Sequence, residues 1–369
     1  MRRVLVILVL LALVATSAVV AVVAADWPFW QRAWHWHQAG MAGPVKMPGA
    51  WRGIGHGEGQ PWPQAPADAA LDEALAALVR GVATDALLVA RADQLLAEHY
   101  GAGVGPERRL QGGAMTAALL PPLYGIAQRR GIDVLDAPLR RVLPDYGEDP
   151  RGDITPRQLL WQVSGLEAAG WRPLDPFSAQ ARLLSGPNFA RAARDVRLTW
   201  PPGSHFETSP ANAQLAAQVL AGVTGHSFAD LVESGLWDSI GAGRATVALD
   251  RLAGDMSAHC CLAATARDWL RLANVYARED AASPWPAGFL RNEVMHAAAV
   301  HPGYGLGVEI ETLDDGTALL WAGAAGRMML AVPARRLAVV WLARQPIGAP
   351  ERDRLKAALG LAMTTANQF

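Results

Sequence analysis

The sequence is poor in the residues that stabilise small secreted domains or bind nucleic acids. Its two cysteines, Cys260 and Cys261, are adjacent, so they cannot join distant segments and a disulfide framework is excluded. Charged residues make up 18% of the chain and the net charge is −1, so neither a basic stripe for nucleic acid nor an acidic tail is present. The chain is instead long and apolar: its 369 residues, 51% of them hydrophobic, can form a large core in one or two domains.

The N-terminus contains a long run without charge, residues 4–25. As a helix this run would span roughly 33 Å, enough to cross the hydrocarbon core of a bilayer. Arg2 and Arg3 precede it, which predicts a cytoplasmic N-terminus and a body in the periplasm or outside the cell. We predict an inner-membrane anchor over residues 1–25. A signal segment cleaved after Ala25, which would give a secreted protein, is the alternative, although the run exceeds the usual length of about 7–15 residues.

Tryptophan is concentrated in the next segment, residues 26–67. Six of the 14 tryptophans fall there: Trp27, Trp30, Trp34, Trp36, Trp51 and Trp62. The first four, with Phe29, resemble the aromatic belt of a membrane–water interface. Residues 38–68 are rich in Gly and Pro, which predicts a linker or an extended arm packed by its tryptophans. His35 and His37 are too few to bind a metal.

The remaining residues, 68–369, show the pattern of an α+β domain. Helical spacing covers 68–81, about 114–130 and roughly 350–364, a hairpin covers 86–100, and four strand patterns cover 304–311, 318–323, 328–333 and 337–343. Helical patterns dominate between the hairpin and about residue 275. This order predicts an antiparallel sheet assembled from both ends of the chain, flanked by N- and C-terminal helices, with a helical subdomain over about 112–285. The cleft between sheet and subdomain is where a ligand is expected.

Six segments carry a resemblance to a known family. They are the hairpin 86–100, GIAQRRGIDVLDAPLRRVLPDY (125–146), ITPRQLLWQVSGLE (154–167), WPPGSHFETSPANAQLAAQVLAGVTGHSFADLVESGLWDSIGAG (200–243), CCLAATARDWLRLA (260–273), and WAGAAG followed by MMLAVPARRLAVVWLA (321–343). In this order the chain resembles the serine β-lactamase and penicillin-binding-type hydrolases over about residues 68–365, most closely their 6-aminohexanoate-dimer hydrolase-like branch. The resemblance implies a β-lactamase/transpeptidase-like fold and a serine hydrolase.

The resemblance implies a Ser-x-x-Lys motif at the start of the first long helix of the insert, which falls on Ala114 to Ala117. In the family the serine attacks a carbonyl and forms an acyl-enzyme, and the lysine one turn later takes its proton. Both reacting positions are alanine here, and a methyl group has neither a lone pair nor a transferable proton. Neither nucleophile nor base is therefore expected at these positions.

The two other motifs implied by the resemblance also differ. The Tyr-x-Asn motif falls on Thr208-Ser209-Pro210, where threonine is too weakly acidic to replace a phenol and proline offers no side-chain hydrogen bond. The Lys-Thr-Gly or His-x-Gly motif falls on Trp321-Ala322-Gly323. Gly323 and Gly326 would still let a strand approach a ligand closely. In the first helix, Pro121 and Pro122 predict a kink or a restart after Leu120.

Two readings of the site stay open. In the first, the protein is a pseudoenzyme of the cell envelope that binds a peptide, a peptidoglycan fragment or an envelope protein in the old cleft, which Thr116, Ser164, Ser209, Gly323 and Gly326 would line. In the second, one of the three hydroxyls has become the nucleophile of an active hydrolase of amides, esters or β-lactams, with His205 or His259 as its base. No cofactor is expected. No metal is expected either, because His259 and two adjacent cysteines do not fit a tetrahedral zinc site.

Overall fold

The computed structural model describes residues 2–39, 49–168, 170 and 172–361. The chain begins with two consecutive helices, α1 (Arg2–Ala25) and α2 (Trp27–Ala39). Within α1, Val6–Ala25 has a mean hydropathy of 3.0 and no part of it is buried against the rest of the protein. By length and composition this helix is able to cross a membrane, and the same properties fit a signal segment.

A six-stranded antiparallel sheet forms the centre of the body. Its strands are β2 (Thr84–Arg91), β3 (Gln94–Tyr100), β7 (Glu309–Thr312), β8 (Ala318–Ala324), β9 (Arg327–Val332) and β10 (Leu337–Ala343). Their order is β3-β2-β10-β9-β8-β7, so the last strand of the chain pairs with the first strand of the hairpin. This arrangement confirms the prediction of a sheet assembled from both ends of the chain.

The two faces of this sheet are buried under different elements. Helices α3 (Ala69–Gly81) and α11 (Ala349–Ala358) cover one face, where Val339 and Trp341 of β10 point. The helical insert covers the other face, where Val340 and Leu342 of the same strand point. Because side chains alternate along a strand, β10 is apolar throughout and all seven of its residues are buried.

The described part of the insert contains seven short to medium α-helices. They are α4 (Leu120–Arg129), α5 (Pro156–Leu160), α6 (Ala179–Ser185), α7 (Phe189–Arg194), α8 (Pro210–Thr224) and α10 (Ala266–Tyr276), together with α9 (Phe228–Asp230), which a π-helical turn extends to Trp237. A 3-10 helix, Gly113–Leu119, precedes α4. The helix therefore restarts at Leu120, as the prolines predict, because Pro121 and Pro122 lie in the first turn, where no intrahelical hydrogen bond is lost.

A second, smaller sheet is a feature that the sequence patterns do not predict. It consists of β1 (Trp51–Ile54), β4 (Leu110–Gln111), β5 (Ala245–Ala248) and β6 (Leu262–Ala264), in the order β1-β5-β6-β4. Its strands have two to four residues, too few for a periodic pattern. Residues 51–54 pair with β5, so within the 38–68 segment they fit the alternative of an extended arm better than that of a linker. Residues 40–48 of that segment lie outside the described part of the chain.

Helix α2 packs against the body instead of forming a linker. Phe29, Ala33 and Trp36 are buried on one face, while Trp27 and Trp34 remain exposed. Arg32, also buried, donates hydrogen bonds to the carbonyls of Gly186 and Leu249, at 3.2 Å each. The expectation that all these aromatic residues form an interfacial belt is therefore corrected. Because a helix has 3.6 residues per turn, some of the aromatic side chains lie on the side that faces the protein and the others lie on the outer side.

The adjacent cysteines lie in this contact. Cys260 and Cys261 are bonded to each other, with sulfur atoms 2.05 Å apart, and both are buried beside Trp36 and Ala248. Cys261 has a positive φ of 73°. The two cysteines thus form a buried disulfide between neighbours, which closes a ring within one segment and links no distant parts of the fold.

Candidate active site

The 3-10 helix Gly113–Leu119 places the first predicted motif between the small sheet and β8. Ala114 is exposed and Ala117 is half-buried, so both methyl groups lie where the resemblance requires the nucleophile and the base. Met115, between them, points into the core toward β8: a β-carbon placed on Gly323 would fall 2.8 Å from its Cγ atom. The helix and β8 are thus in direct contact, which is the arrangement that brings the first and third motifs together.

The second predicted motif begins α8. Thr208 is exposed, and Ser209 is the N-terminal cap residue, followed by Pro210 at the first helical position, where its missing N–H costs nothing. The backbone N–H of Ser209 donates to Oε1 of Gln162 (3.2 Å), and Nε2 of Gln180 donates to Oγ of Ser209 (3.2 Å). Pro210 therefore fits the backbone of the helix start while offering nothing to a ligand.

Trp321, the first residue of the third predicted motif, points away from the helical insert. Its side chain lies in the cluster under α3 and α11, Nε1 donates to Glu311 (3.0 Å), and the guanidinium of Arg352 lies 4.9 Å from its ring. It does not fill the cleft. The local backbone explains why glycine occupies two positions here. Gly323 (φ 115°) lies against the carbonyl of Arg327, and Gly326 (φ 88°) lies against that of Gln345, so both permit the β8–β9 hairpin.

Each of the three candidate hydroxyls is buried and bonded to its surroundings. Thr116 donates to the carbonyl of Gly113 (2.8 Å) and accepts from the N–H of Leu262 (3.3 Å). Ser164 donates to Oδ1 of Asn212 (2.6 Å) and accepts from the N–H of Leu166 (3.2 Å). Together with the bond from Gln180 to Ser209, these partners fix all three hydroxyls in structural roles.

The two candidate bases lie elsewhere. His259 is buried, its Nδ1 is 3.3 Å from Oγ of Ser257, and Phe189 packs edge-on against its ring. Burial lowers the pKa of His259 to about 4. His205 is exposed and lies against Trp200, with 4.6 Å between ring centroids. Among the described residues, neither histidine is hydrogen-bonded to Thr116, Ser164 or Ser209, so none of these three hydroxyls has a base beside it.

Lysine cannot replace the missing base from another place in the described part of the chain. The sequence contains two lysines, Lys46 and Lys356. Lys356 lies on α11, where its ammonium is paired with Glu311 and, at 2.9 Å, with Asp353, on the opposite face of the sheet from the insert. Lys46 lies outside the described residues. This scarcity is visible in the sequence alone and is a signal that motif reasoning overlooked.

The tyrosine beside the first motif, Tyr276, is not free to supply the missing phenol. Tyr276, on α10, donates its hydroxyl to the carbonyl of Ala118 (2.6 Å), one residue after Ala117. Burial raises the pKa of Tyr276 well above its usual value, which makes it a poor proton donor and acceptor near neutral pH. Its hydroxyl is committed to holding the 3-10 helix in place.

Aromatic rings join two segments beside the second motif. Phe206 stacks on His301 with 3.8 Å between ring centroids, and Tyr304 lies 5.3 Å from Phe206. The first residue leads into α8 and the other two lead into β7, so this aromatic rim connects segments that are about 95 residues apart in the sequence. Sequence reasoning missed the rim, since an isolated aromatic residue in a loop gives no periodic signal.

Comparison with known proteins agrees with this architecture. A model of the Beta-lactamase family matches residues 67–363. The structure is similar to that of a Bacillus anthracis protein named as a 6-aminohexanoate-dimer hydrolase, with a TM-score of 0.71, 19% identity, and coverage of 84% of this chain and 89% of that one. No curated protein sequence matches the chain.

Two further solved structures show the same fold. A penicillin-binding protein from Bacillus halodurans is 15% identical, with a TM-score of 0.59 over 78% of this chain and 99% of that one. A D-stereospecific amidohydrolase from Streptomyces is 20% identical, with a TM-score of 0.57 over 79% of this chain and 98% of that one. Because the family model spans most of the sequence and the sheet, insert and terminal helices agree with these structures, the chain belongs to the β-lactamase family of serine hydrolase-like proteins.

Proposed function

We propose that this protein is a catalytically inactive member of the β-lactamase family that binds a ligand in the cleft between the six-stranded sheet and the helical insert. One observation carries the proposal: alanine occupies both reacting positions on the 3-10 helix, and each hydroxyl nearby is committed to a structural hydrogen bond. Acyl transfer needs a nucleophile within about 3 Å of a base. Among the described residues, none of the three candidate hydroxyls, Thr116, Ser164 and Ser209, is paired with such a base.

The ligand that we propose is a peptide or a peptide-bearing fragment of peptidoglycan. One structural relative is named as a penicillin-binding protein and another as an amidohydrolase. Penicillin and the substrates of an amidohydrolase both contain an amide carbonyl, and so does a cell-wall peptide. The exposed Trp200 and the rim formed by Phe206 and His301 offer ring faces beside the second motif. Rings of this kind stack on sugars and on apolar side chains of peptides.

The proposed place of action is the outer face of the inner membrane. Helix α1 is long and apolar enough to act as an anchor, and the two arginines before it favour an orientation with the body outside the cytoplasm. A ligand derived from the cell wall is present in that compartment. The proposal therefore treats α1 as an uncleaved anchor.

The test is intact-mass spectrometry of the full chain in detergent after incubation with a fluorophosphonate probe and, separately, with a penicillin. Both reagents form covalent adducts with an activated serine or threonine. We expect no adduct under conditions that label an active relative completely. A stoichiometric adduct would overturn the proposal in favour of a hydrolase with a relocated nucleophile, and peptide mapping would then identify the hydroxyl.

Binding is tested separately by isothermal titration with soluble muropeptides. We expect saturable binding without any change in the mass of the ligand. Trp200→Ala, which removes an exposed ring beside His205, is expected to weaken binding at least about tenfold, the effect of losing about 1.4 kcal/mol. Trp34→Ala is the matched control, because this tryptophan is exposed to a similar degree but lies on α2, away from the cleft.

A further inference from the structure

A single arginine ties a loop of the body to the end of the membrane helix. Arg182, on α6, forms an ion pair with Asp26, the residue that directly follows α1. The same guanidinium donates from Nε to the carbonyl of Pro176 (2.8 Å) and lies 4.7 Å from the centroid of the Phe29 ring. The loop that contains Pro176 is therefore held at the point where the chain leaves the apolar helix.

The next residue of this loop is Phe177, whose side chain is 93% exposed. A large aromatic side chain exposed to water is unfavourable relative to a buried one. Trp27, adjacent to Asp26, is 53% exposed on the same junction. Exposed aromatic residues on both segments that meet at the end of an apolar helix have the composition of a membrane–water interface.

The carboxylate at the end of the apolar helix is neutralised by an arginine. Asp26 would repel anionic phospholipid headgroups, but its carboxylate is paired with Arg182. Arg182 also satisfies the carbonyl of Pro176, so the backbone beside Phe177 needs no water at that point. The loop thus presents an exposed apolar side chain, with the charge of Asp26 neutralised beside it and the carboxylate of Asp175 accepting from the N–H of Phe177 (3.0 Å).

We infer that the globular body contacts the phospholipid bilayer through the loop at residues 172–178, with Phe177 inserted into the interfacial region of the outer leaflet. The inference rests on the proposed role of α1 as an uncleaved anchor. The partner is the bilayer, because the loop is held at the end of the helix that would span it. Insertion at this second point restricts the rotation of the body about α1 and fixes the direction in which the cleft opens.

The test uses the full chain in lipid nanodiscs with a fluorescent label at position 177. The only two cysteines are bonded to each other, so Phe177→Cys provides one reactive thiol for an environment-sensitive nitrobenzoxadiazole label. The control is Asp314→Cys, on the exposed turn between β7 and β8. Since both positions are exposed, neither substitution removes a packing contact.

We expect blue-shifted emission at position 177 and quenching by lipids that carry a nitroxide near the headgroup, with neither effect at position 314. Equal emission and equal quenching at the two positions, in chains that incorporate into nanodiscs, would overturn the inference and leave the anchor intact. Failure of the intact chain to incorporate would instead refute the anchor, and the inference with it. Intact mass before reconstitution confirms that residues 1–25 are still attached.

Discussion

At the scale of single residues, polar side chains buried near the cleft are hydrogen-bonded to one another. Ser164 and Asn212 illustrate this, since both are fully buried and the hydroxyl donates to the amide oxygen over 2.6 Å. The amide nitrogen of Asn212 donates in turn to Gln162 (2.7 Å), whose Oε1 also accepts from the backbone of Ser209. Such a network fixes the start of α8 against the loop that follows α5, which is a structural task rather than a catalytic one.

Ser164→Ala should therefore lower the stability of the folded protein without removing a catalytic group. The substitution leaves the Asn212 oxygen and the Leu166 N–H without their partner, which costs about 1–3 kcal/mol for buried groups. Denaturant unfolding followed by tryptophan fluorescence measures the loss. Ser204→Ala, which removes an exposed hydroxyl bonded to the carbonyl of Pro201, should change stability by less than about 0.5 kcal/mol. Equal effects of the two substitutions would contradict the assigned role of Ser164.

His259 should make stability depend on pH. Its pKa is about 4 in the folded protein and returns to its ordinary value of 6.5 on unfolding. Between pH 6.5 and 4 the unfolded chain binds a proton that the folded chain rejects, so stability is complete above pH 6.5 and falls on acidification through this window. The total loss is about 3 kcal/mol, since one pKa unit corresponds to about 1.4 kcal/mol.

The measurement compares the native chain with His259→Gln by denaturant unfolding at several pH values from 7.5 to 4.5. Carboxylates whose pKa values are lowered by arginine partners, such as Asp136 and Asp149, titrate in both proteins and cancel in the difference. The variant should show a flatter dependence on pH. Parallel curves would show that His259 does not contribute in the way that its burial predicts.

At the scale of elements, α2 is the most informative helix because its two faces have different environments. Phe29→Ala should release α2 from α6, since Phe29 is fully buried and removal of such a ring costs about 3–5 kcal/mol. Hydrogen–deuterium exchange of peptides from α2 and α6 measures the loss of protection. Trp34→Ala, on the exposed side of the same helix, should leave the exchange unchanged. Equal exchange in both variants would mean that α2 is not held by its packed face.

Elements with strong local patterns are the ones that the sequence predicts well. The hairpin at 86–100, the helix at 68–81 and the strands at 318–323, 328–333 and 337–343 all appear within a few residues of the expected bounds. The small sheet does not, because strands of two to four residues are defined by partners elsewhere in the chain, such as Trp51 opposite Ala248. Docking of α2 was missed for the same reason: its buried face becomes apparent only once α6 is present.

At the scale of the whole molecule, the fold is that of the β-lactamase family, while alanine occupies both positions to which the resemblance assigns the reacting groups. The contact between the 3-10 helix and β8 depends on Met115 and Gly323, and both are apolar packing positions that need no catalytic group. Sequence reasoning assigned the motif positions from the family's order of segments, and this assignment stays a prediction. It could not show that Trp321 faces α11, or that the hydroxyls of Thr116, Ser164 and Ser209 are hydrogen-bonded to neighbouring groups. Both facts depend on packing between distant segments.

If only the reacting side chains are missing, restoring them should restore acylation. Ala114 and Ala117 lie one turn apart in a 3-10 helix, where side chains at i and i+3 lie directly above one another, so a serine and a lysine there would meet. The double variant Ala114→Ser with Ala117→Lys should give a stoichiometric fluorophosphonate adduct in intact-mass spectra. Ala114→Ser alone should give none, because no base is within reach.

The two variants together separate the loss of chemistry from the loss of geometry. Labelling of the single variant at the rate of the double variant would reveal a base elsewhere in the cleft and would support a relocated hydrolase. A folded double variant that takes up no probe would show that the cleft itself has closed, since the serine and lysine would then be present without access. Labelling of the double variant alone would mean that this fold still holds a reacting serine in place, because the two restored side chains are then sufficient for acylation.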